Sequence, residues 1–166
     1  MATIYPHTRD CWIVRSNQST WSDARANTAG TSISSTATTN TWGVTAHRVA
    51  VRGGGNAFAI YRSFFFFDTS GISSDVDSAT FKVYGYGNGG GDLIAVKSNV
   101  TKYSAEISTW STSGYNDITL NAQALADMRD DDALYICLLN FDYDLKDVAP
   151  TGYSTHRNGL YYANYT

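Results

Sequence analysis

The pattern of apolar and polar positions predicts β-strands wherever it is regular. Residues 79–86 alternate, with Phe81 and Val83 on one face and Lys82 and Tyr84 on the other. A period of two is typical of a strand that is buried on one face only. Further strands are expected at residues 10–15, 45–52, 57–68, 92–96, 116–120, 133–141 and 156–165.

The run of four phenylalanines, Phe64 to Phe67, is followed by turn-forming residues. A short aromatic run closed in this way predicts a buried strand rather than a helix. Since side chains alternate along a strand, Phe64 and Phe66 point away from any core that receives Phe65 and Phe67. The outward pair must be covered by residues 16–41 or the helix of this chain, or by another molecule. The first case would make the run a feature of the fold, and the second would make it an interface.

The remaining elements predict one small helix and several loops. The helix is expected at 121–129, where an asparagine can cap the first turn. Residues 16–41 are rich in Ser, Thr, Ala and Asn, and we expect a surface segment pinned by Trp21 and Trp42, with a functional arm as the alternative. The glycine-rich residues 87–91 predict a flexible connection.

Short strands separated by turns, with a single short helix, are typical of an all-β fold. We expect a jelly-roll β-sandwich of two antiparallel sheets that forms one domain over residues 1–166. Two cysteines, Cys11 and Cys137, lie in apolar runs that look like strands. They are interpreted as buried thiols, and a disulfide would require the two strands to be neighbours.

The charge balance excludes some classes of partner. Only 16% of residues are charged and the formal net charge is −3, so there is no basic field for nucleic acid. No apolar run is long enough to span a membrane, and the first residues lack the apolar centre of a signal peptide. We therefore expect no membrane partner, and either export without a leader or a leader that was replaced by Met1. Aromatic residues make up 14% of the chain, which is typical of all-β extracellular, surface or virion proteins.

No motif indicates catalysis, and we expect a protein that is not an enzyme and needs no cofactor. The histidines at His7, His47 and His156 lie in no recognised motif. Glu106 is the only glutamate, so a pair of carboxylates for glycoside hydrolysis would have to involve aspartates.

An acidic loop offers one candidate metal site. Asp142, Asp144 and Asp147 lie close together in sequence, and hard cations such as Ca²⁺ prefer carboxylate and carbonyl oxygens. The main interpretation is that these are solvated loop acids, because their spacing matches no known calcium-binding loop. A structural calcium site is the alternative.

Aromatic side chains are the strongest candidates for binding. Sugar-binding modules stack rings on the apolar faces of sugars, and Tyr and Trp are also favoured at protein interfaces. The candidate residues for binding a partner or a glycan are Phe64, Phe66, Tyr84, Tyr86, Trp110 and Tyr161. Many of these rings could equally be lids over the core, and ring content alone does not separate sugar binding from assembly.

The central part of the chain resembles a known family. Residues 62–72 read Arg-Ser-Phe-Phe-Phe-Phe-Asp-Thr-Ser-Gly-Ile, and residues 76–84 read Val-Asp-Ser-Ala-Thr-Phe-Lys-Val-Tyr. This pattern resembles the DNRLRE type of carbohydrate-binding-module-like domain, and residues 10–14 and 116–120 are similar to other strands of that family. The resemblance implies a jelly roll of the kind found in phage structural proteins and secreted polysaccharide-active proteins. The sequence stops at Thr166, before the closing strand of that family. If the chain ends there, an open sheet edge is expected; if the chain is cut short, no open edge follows.

These observations lead to two functional hypotheses. The first is a non-enzymatic virion structural protein, such as a decoration, fibre or tail-associated subunit. It would assemble with copies of itself or with other virion proteins through aromatic patches and strand edges. The alternative is a stand-alone carbohydrate-binding module, extracellular or at the cell surface, that recognises a surface polysaccharide.

Overall fold

The computed structural model describes residues 3–6, 10–26, 30–34, 41–98 and 101–162. Its nine strands are β1 (Cys11–Gln18), β2 (Ser32–Ser34), β3 (Thr41–Ala50), β4 (Asn56–Asp68), β5 (Thr80–Asn88), β6 (Leu93–Val96), β7 (Tyr115–Thr119), β8 (Ala133–Asn140) and β9 (Thr155–Leu160). The helical elements are α1 (Trp21–Ala26), α2 (Ala122–Asp130) and a π turn (Phe141–Leu145). No described helix is long and apolar enough to cross a membrane.

The strands form one large antiparallel sheet that divides at β4. Its main part has the order β2-β1-β4-β3-β9-β5-β7, and its second part runs from β4 through β8 to β6. Residues 56–61 of β4 pair with β3, whereas residues 63–68 pair with β8. A strand that moves from one neighbour to another in this way connects two packed layers. The predicted all-β character is confirmed.

The principal core contains residues from both parts of the sheet. Val44, Val83 and Leu160 from the main part pack in one cluster with Leu93 and Leu138 from the second part. Because apolar residues of both parts share this cluster, each part removes the apolar face of the other from water, which is the main favourable contribution to folding.

The phenylalanine run alternates between two sides of β4, as predicted. Phe65 is only 4% exposed and packs in the principal core, where its ring centroid lies 5.0 Å from that of Phe81. Phe67 also contacts Phe81, with 5.8 Å between ring centroids. On the other side, Phe64 packs against a cluster of β6, β8 and the π turn, and Phe66 lies beside Tyr135 at 5.0 Å. The chain itself therefore covers Phe64 in part, and this side chain is half-buried.

The cover of Phe64 comes from a part of the chain that the sequence did not indicate. Phe64 packs against buried residues of β6 and β8, and Phe141 and Leu145 of the π turn pack against the same cluster. The segment 16–41 instead contributes α1, where Trp21 packs with Phe58 of β4. This helix was not predicted, because six residues give too little periodicity to be recognised.

The two cysteines are free thiols. Cys11 lies directly opposite Phe64 from β1, and Cys137 lies directly opposite the same residue from β8. Two strand spacings, about 10 Å, therefore separate them. This exceeds the limit of about 7 Å between the Cα atoms of a disulfide. Burial raises the pKa of the Cys137 thiol to about 12, which keeps it protonated and unreactive.

A buried ion pair ties the π turn to β4. Arg62 donates two hydrogen bonds to the carboxylate of Asp144, from Nε at 2.6 Å and from Nη2 at 2.7 Å. Arg25 of α1 donates to the main-chain oxygen of Asp144 at 2.7 Å and contacts Asp147 at 3.1 Å. Since the Asp144 side chain is only 1% exposed, these bonds replace its hydration and hold two short elements over the sheet.

Candidate functional site

An exposed aromatic surface covers the outer side of β3, β9, β5 and β7. We call it the tyrosine face, and it consists of Trp42, Tyr84, Tyr86, Tyr115, Tyr161 and Arg157. The alternation of β5 creates it, because Phe81 and Val83 are buried while Tyr84 and Tyr86 project to the other side. The sheet register places Tyr84 directly opposite Tyr115, so that both rings emerge on the same surface.

The rings of the tyrosine face form a continuous row. Successive ring centroids are 5.2 Å apart for Tyr115 and Tyr84, 5.6 Å for Tyr84 and Tyr161, and 5.8 Å both for Tyr161 and Tyr86 and for Tyr86 and Trp42. Their interplanar angles of 61–80° are edge-to-face arrangements, which the quadrupoles of aromatic rings favour. Tyr115 is 65% exposed and Tyr86 39% exposed. The row is thus continuous, with exposed rings at Tyr115 and Tyr86 and half-buried rings at Trp42, Tyr84 and Tyr161.

Two glycines form the floor on which rings of this row lie. A Cβ atom on Gly87 would be 2.6 Å from the Trp42 ring, and one on Gly159 would be 2.6 Å from the Tyr86 ring. Both distances are shorter than side chains tolerate, so only glycine permits these rings to approach the backbone. Gly87 belongs to the segment predicted as a flexible connection, but it lies in β5 and serves this close approach.

Charged side chains lie at both ends of the row. The Arg157 guanidinium carbon is 3.9 Å from the centroid of the Trp42 ring, which is a cation–π contact. At the other end, Lys82 donates to Asp117 at 2.9 Å, and both side chains are exposed. The Tyr84 hydroxyl donates to the main-chain oxygen of Ser113 at 2.9 Å. The surface therefore combines apolar ring faces with hydrogen-bonding groups.

Substitution of Gly159 by alanine tests whether the floor positions the rings. The added methyl group would displace Tyr86, since it would lie 2.6 Å from that ring and 3.0 Å from the main-chain nitrogen of Gly87. We expect near-ultraviolet circular dichroism to show an altered tyrosine environment while the far-ultraviolet spectrum is retained. Gly71→Ala is the matched control, because nothing lies within 4 Å of a Cβ there. Identical near-ultraviolet spectra for the two variants would contradict this account.

The structure brings together three of the predicted binding residues and separates the others. Tyr84, Tyr86 and Tyr161 meet on the tyrosine face. Trp110, in contrast, is only 8% exposed, and its indole donates to the main-chain oxygen of Gly159 at 3.0 Å. The prediction that Trp110 contacts a ligand is therefore corrected, since this ring is buried beneath the sheet and bonds to the backbone of Gly159. Phe64 and Phe66 belong to a different surface.

Two residues of the tyrosine face were not among the predicted binding residues. Trp42 lies at the start of β3, in a stretch that was assigned to a surface segment. Tyr115 lies at the first position of β7, one residue before the predicted strand. Moving the strand boundary by one residue would have included Tyr115 in β7, but its position opposite Tyr84 depends on the register of β5 and β7.

A second, smaller aromatic surface surrounds Phe66. A shallow depression of about 160 Å³ is lined in part by Phe64, Phe66, Tyr135 and Lys97. Tyr135 is 57% exposed. Lys97 is paired with carboxylates of α2 and the turn after it, at 3.0 and 2.9 Å. We call this surface the Phe66 patch.

The structure does not bring the predicted calcium ligands together. Asp142 accepts from Lys146 at 2.8 Å, Asp144 is bound by Arg62, and Asp147 contacts Arg25. Each carboxylate is therefore paired with a cationic side chain, and Arg25 also lies 3.7 Å from the carboxylate of Asp144. These pairs hold the π turn and the loop after it.

Another group of carboxylates does lie together among the described residues. Oxygen atoms of Asp92, Glu106 and Asp142 are within 4.8 Å of one another. Desolvation and the neighbouring Asp92 raise the pKa of Glu106. Exposed acidic groups of this kind are common without an ion, and the ammonium group of Lys146 already compensates part of their charge.

The histidines form no recognisable catalytic arrangement among the described residues. Burial and the nearby positive charge of Arg157 lower the pKa of His47. The ring of His156 lies 4.4 Å from that of Tyr143, and its Nδ1 is 3.3 Å from the main-chain oxygen of Gly90. His7 lies outside the described residues.

Comparisons with known proteins assign no family to the chain, since no family model and no curated protein matches it. The resemblance to the DNRLRE type therefore rests on the sequence pattern alone and stays a prediction.

Proposed function

We propose that this protein is a non-enzymatic carbohydrate-binding domain with a jelly-roll fold, which binds a polysaccharide outside the cell or at its surface. The observation that carries the proposal is the continuous row of five aromatic rings on the tyrosine face, of which Tyr86 and Tyr115 are exposed. The division of the sheet at β4 around one core supports the jelly roll.

The geometry of the row suits an extended sugar polymer. Aromatic rings attract the apolar C–H faces of sugars, and neighbouring hydroxyl groups require hydrogen-bond partners. The row supplies rings at intervals of 5.2–5.8 Å, while Arg157 and the pair of Lys82 and Asp117 supply polar groups at its ends. Mutual ring contacts and the glycine floor fix the side chains before a ligand arrives, which lowers the entropy cost of binding.

The direct test is polysaccharide binding by a Tyr86→Ala variant. Tyr86 contacts both Tyr161 and Trp42, so its loss interrupts the row. We expect roughly a tenfold or greater loss of affinity, which corresponds to the contribution of one aromatic contact. The binding partner would be identified on an array of soluble polysaccharides, and its affinity measured by isothermal titration calorimetry.

Tyr135→Ala is the matched control for this experiment. Tyr135 is also an exposed strand tyrosine, but it belongs to β8 and the Phe66 patch. The Tyr135→Ala variant should bind polysaccharide with the same affinity as the wild type. Equal affinity of the Tyr86→Ala variant and the wild type, or no binding to any polysaccharide of the array, would refute the proposal.

Assembly as a virion structural subunit is the second candidate function. The exposed ring of Tyr135 beside Phe66 favours it, because aromatic patches are common in interfaces. It ranks second because Phe64 already packs against buried residues of β6 and β8, so less of the phenylalanine run is left for a partner. Light scattering distinguishes the two candidates. An oligomer that Tyr135→Ala dissociates and Tyr86→Ala preserves would favour assembly.

A further inference from the structure

The outer edge of β7 has unpaired backbone groups. The main-chain N–H of Gly85 donates to Gly114, and that of Leu120 donates to Ala79. In an antiparallel pair such bonds recur at every second residue, so the groups of the intervening residues point away from the partner strand. The N–H and C=O groups of Tyr115, Asp117 and Thr119 therefore point away from β5, and no bond joins them to another described residue.

The chain segment that runs beside β7 does not satisfy these groups. It is attached instead through the side chain of Asn116, which accepts from the main-chain N–H of Ser111 at 2.7 Å and donates to its oxygen at 3.1 Å. The same amide also donates to Val83 of β5 at 3.3 Å. Asn116 therefore connects this segment to β7 through its side chain instead of through backbone hydrogen bonds, and no described residue pairs with the outer edge of β7.

An open groove of about 430 Å³ lies along this edge. Ile107, Thr109 and Ser111 contribute to one side of it, and Tyr115 and Asp117 contribute to the other. A main chain placed here would meet hydrogen-bonding groups at every second residue of β7. A β-strand is the one common ligand with donors and acceptors at this spacing.

We propose that the edge of β7 is a strand-addition site that binds an extended segment of another protein. The added strand continues the main sheet beyond β7 and pairs with Tyr115, Asp117 and Thr119. Its side chains that point towards Ile107 and Ile118 are apolar, because both residues line the groove. The site shares Tyr115 with the tyrosine face and Asp117 with the end of its row, but it uses their main-chain groups rather than their side chains, and it does not depend on the glycan proposal.

Charge argues against a second copy of this chain as the occupant. Two β7 strands related by twofold symmetry form the most pairs when Asp117 lies opposite its own copy, because Tyr115 then pairs with Thr119. Lys82 is bonded to each Asp117, but this exposed pair compensates the charge only in part. Directly opposed carboxylates therefore still destabilise such a pairing, and exposed charges on edge strands are a common protection against self-association. A partner with a neutral or basic residue opposite Asp117 meets no such repulsion.

The test uses proline to remove one outward N–H group. In Asp117→Pro the β7 edge loses a donor, whereas the bonds between β5 and β7 stay, since that N–H points away from β5. Asp117→Ala is the matched control, because it removes the same side chain and keeps the donor. The probe is a displayed library of random twelve-residue peptides, selected against the wild-type protein. We expect selected peptides to bind Asp117→Ala and to lose roughly tenfold in affinity on Asp117→Pro.

Backbone amide exchange provides the second measurement. In the free protein the amides of Tyr115, Asp117 and Thr119 should exchange faster than those of Asn116 and Ile118, and a bound peptide should protect them. Thr119→Pro repeats the experiment if Asp117→Pro fails to fold. The proposal is overturned if no peptide is selected, if peptides bind the proline and alanine variants equally, or if β7 instead mediates a dimer of this chain.

Discussion

Replacement of Asp144 by alanine is expected to lower the free energy of unfolding by about 3–5 kcal/mol, because it leaves a buried cation without its partner. The side chain of Arg62 is only 20% exposed, and Asp144 accepts both of its short hydrogen bonds. The substitution also loosens the contact between the π turn and β4. Chemical denaturation monitored by tryptophan fluorescence would measure the change.

Two further variants distinguish the contribution of the ion pair to stability from that of its surroundings. Asp147→Ala removes an exposed carboxylate that contacts Arg25, and we expect a loss of less than about 1 kcal/mol, as for other surface pairs. The double variant Arg62→Met with Asp144→Leu removes both charges, and it should recover most of the stability lost in Asp144→Ala. A loss in Asp144→Ala no larger than in Asp147→Ala would contradict the assignment of a buried pair.

Replacement of Asp10 by asparagine is expected to stabilise the protein at neutral and alkaline pH. Asp10 is buried, and burial raises the pKa of its carboxyl group from 3.8 to about 7, although the hydrogen bond from the Phe66 N–H acts in the opposite direction. Its Oδ2 has no hydrogen-bond partner among the described residues. Between pH 3.8 and about 7 the folded state therefore holds a proton that the unfolded chain releases.

The direction of the pH effect follows from this difference. Below pH 3.8 the carboxyl group is protonated in both states and contributes no penalty. As the pH rises from 3.8 to about 7, the unfolded chain is increasingly favoured because only it ionises freely. Above that range the penalty is constant, at roughly 4 kcal/mol. Asparagine keeps the acceptor for Phe66 and does not ionise, so its advantage should appear only above about pH 4.

Comparison of the free energy of unfolding of Asp10→Asn with that of the wild type at each pH separates the effect of Asp10 from that of other titrating groups. The variant Asp127→Asn is a control, because its effect on stability should change with pH in the opposite direction. Partial burial acts to raise the pKa of its carboxyl group, but hydrogen bonds from Tyr103 and Lys97 lower it overall. Asp127→Asn should therefore lose stability at neutral pH relative to low pH. A stability difference between Asp10→Asn and the wild type that is the same at pH 3 and pH 8 would refute the assignment.

Local pattern alone predicted most of the strands and the second helix. The alternation of residues 79–86 predicted β5 and both of its faces, and the buried run at 133–141 predicted β8. Asn121 caps α2 as expected, since its side chain accepts from the N–H of Ala124 at 3.1 Å. These features depend on neighbouring residues, whose spacing is visible in the sequence.

The sequence also determined that Tyr84 and Tyr86 share one face, because alternation along a strand requires it. Only the tertiary structure decided that Tyr115 and Tyr161 join them, since strand order and register bring distant segments side by side. The same holds for Trp110, which lies in a polar segment and is nevertheless buried. Asp144 was interpreted as a loop acid or a metal ligand because its partner, Arg62, lies 82 positions away. Contacts between residues so far apart in sequence arise from the topology of the chain, which no local periodicity of the sequence indicates.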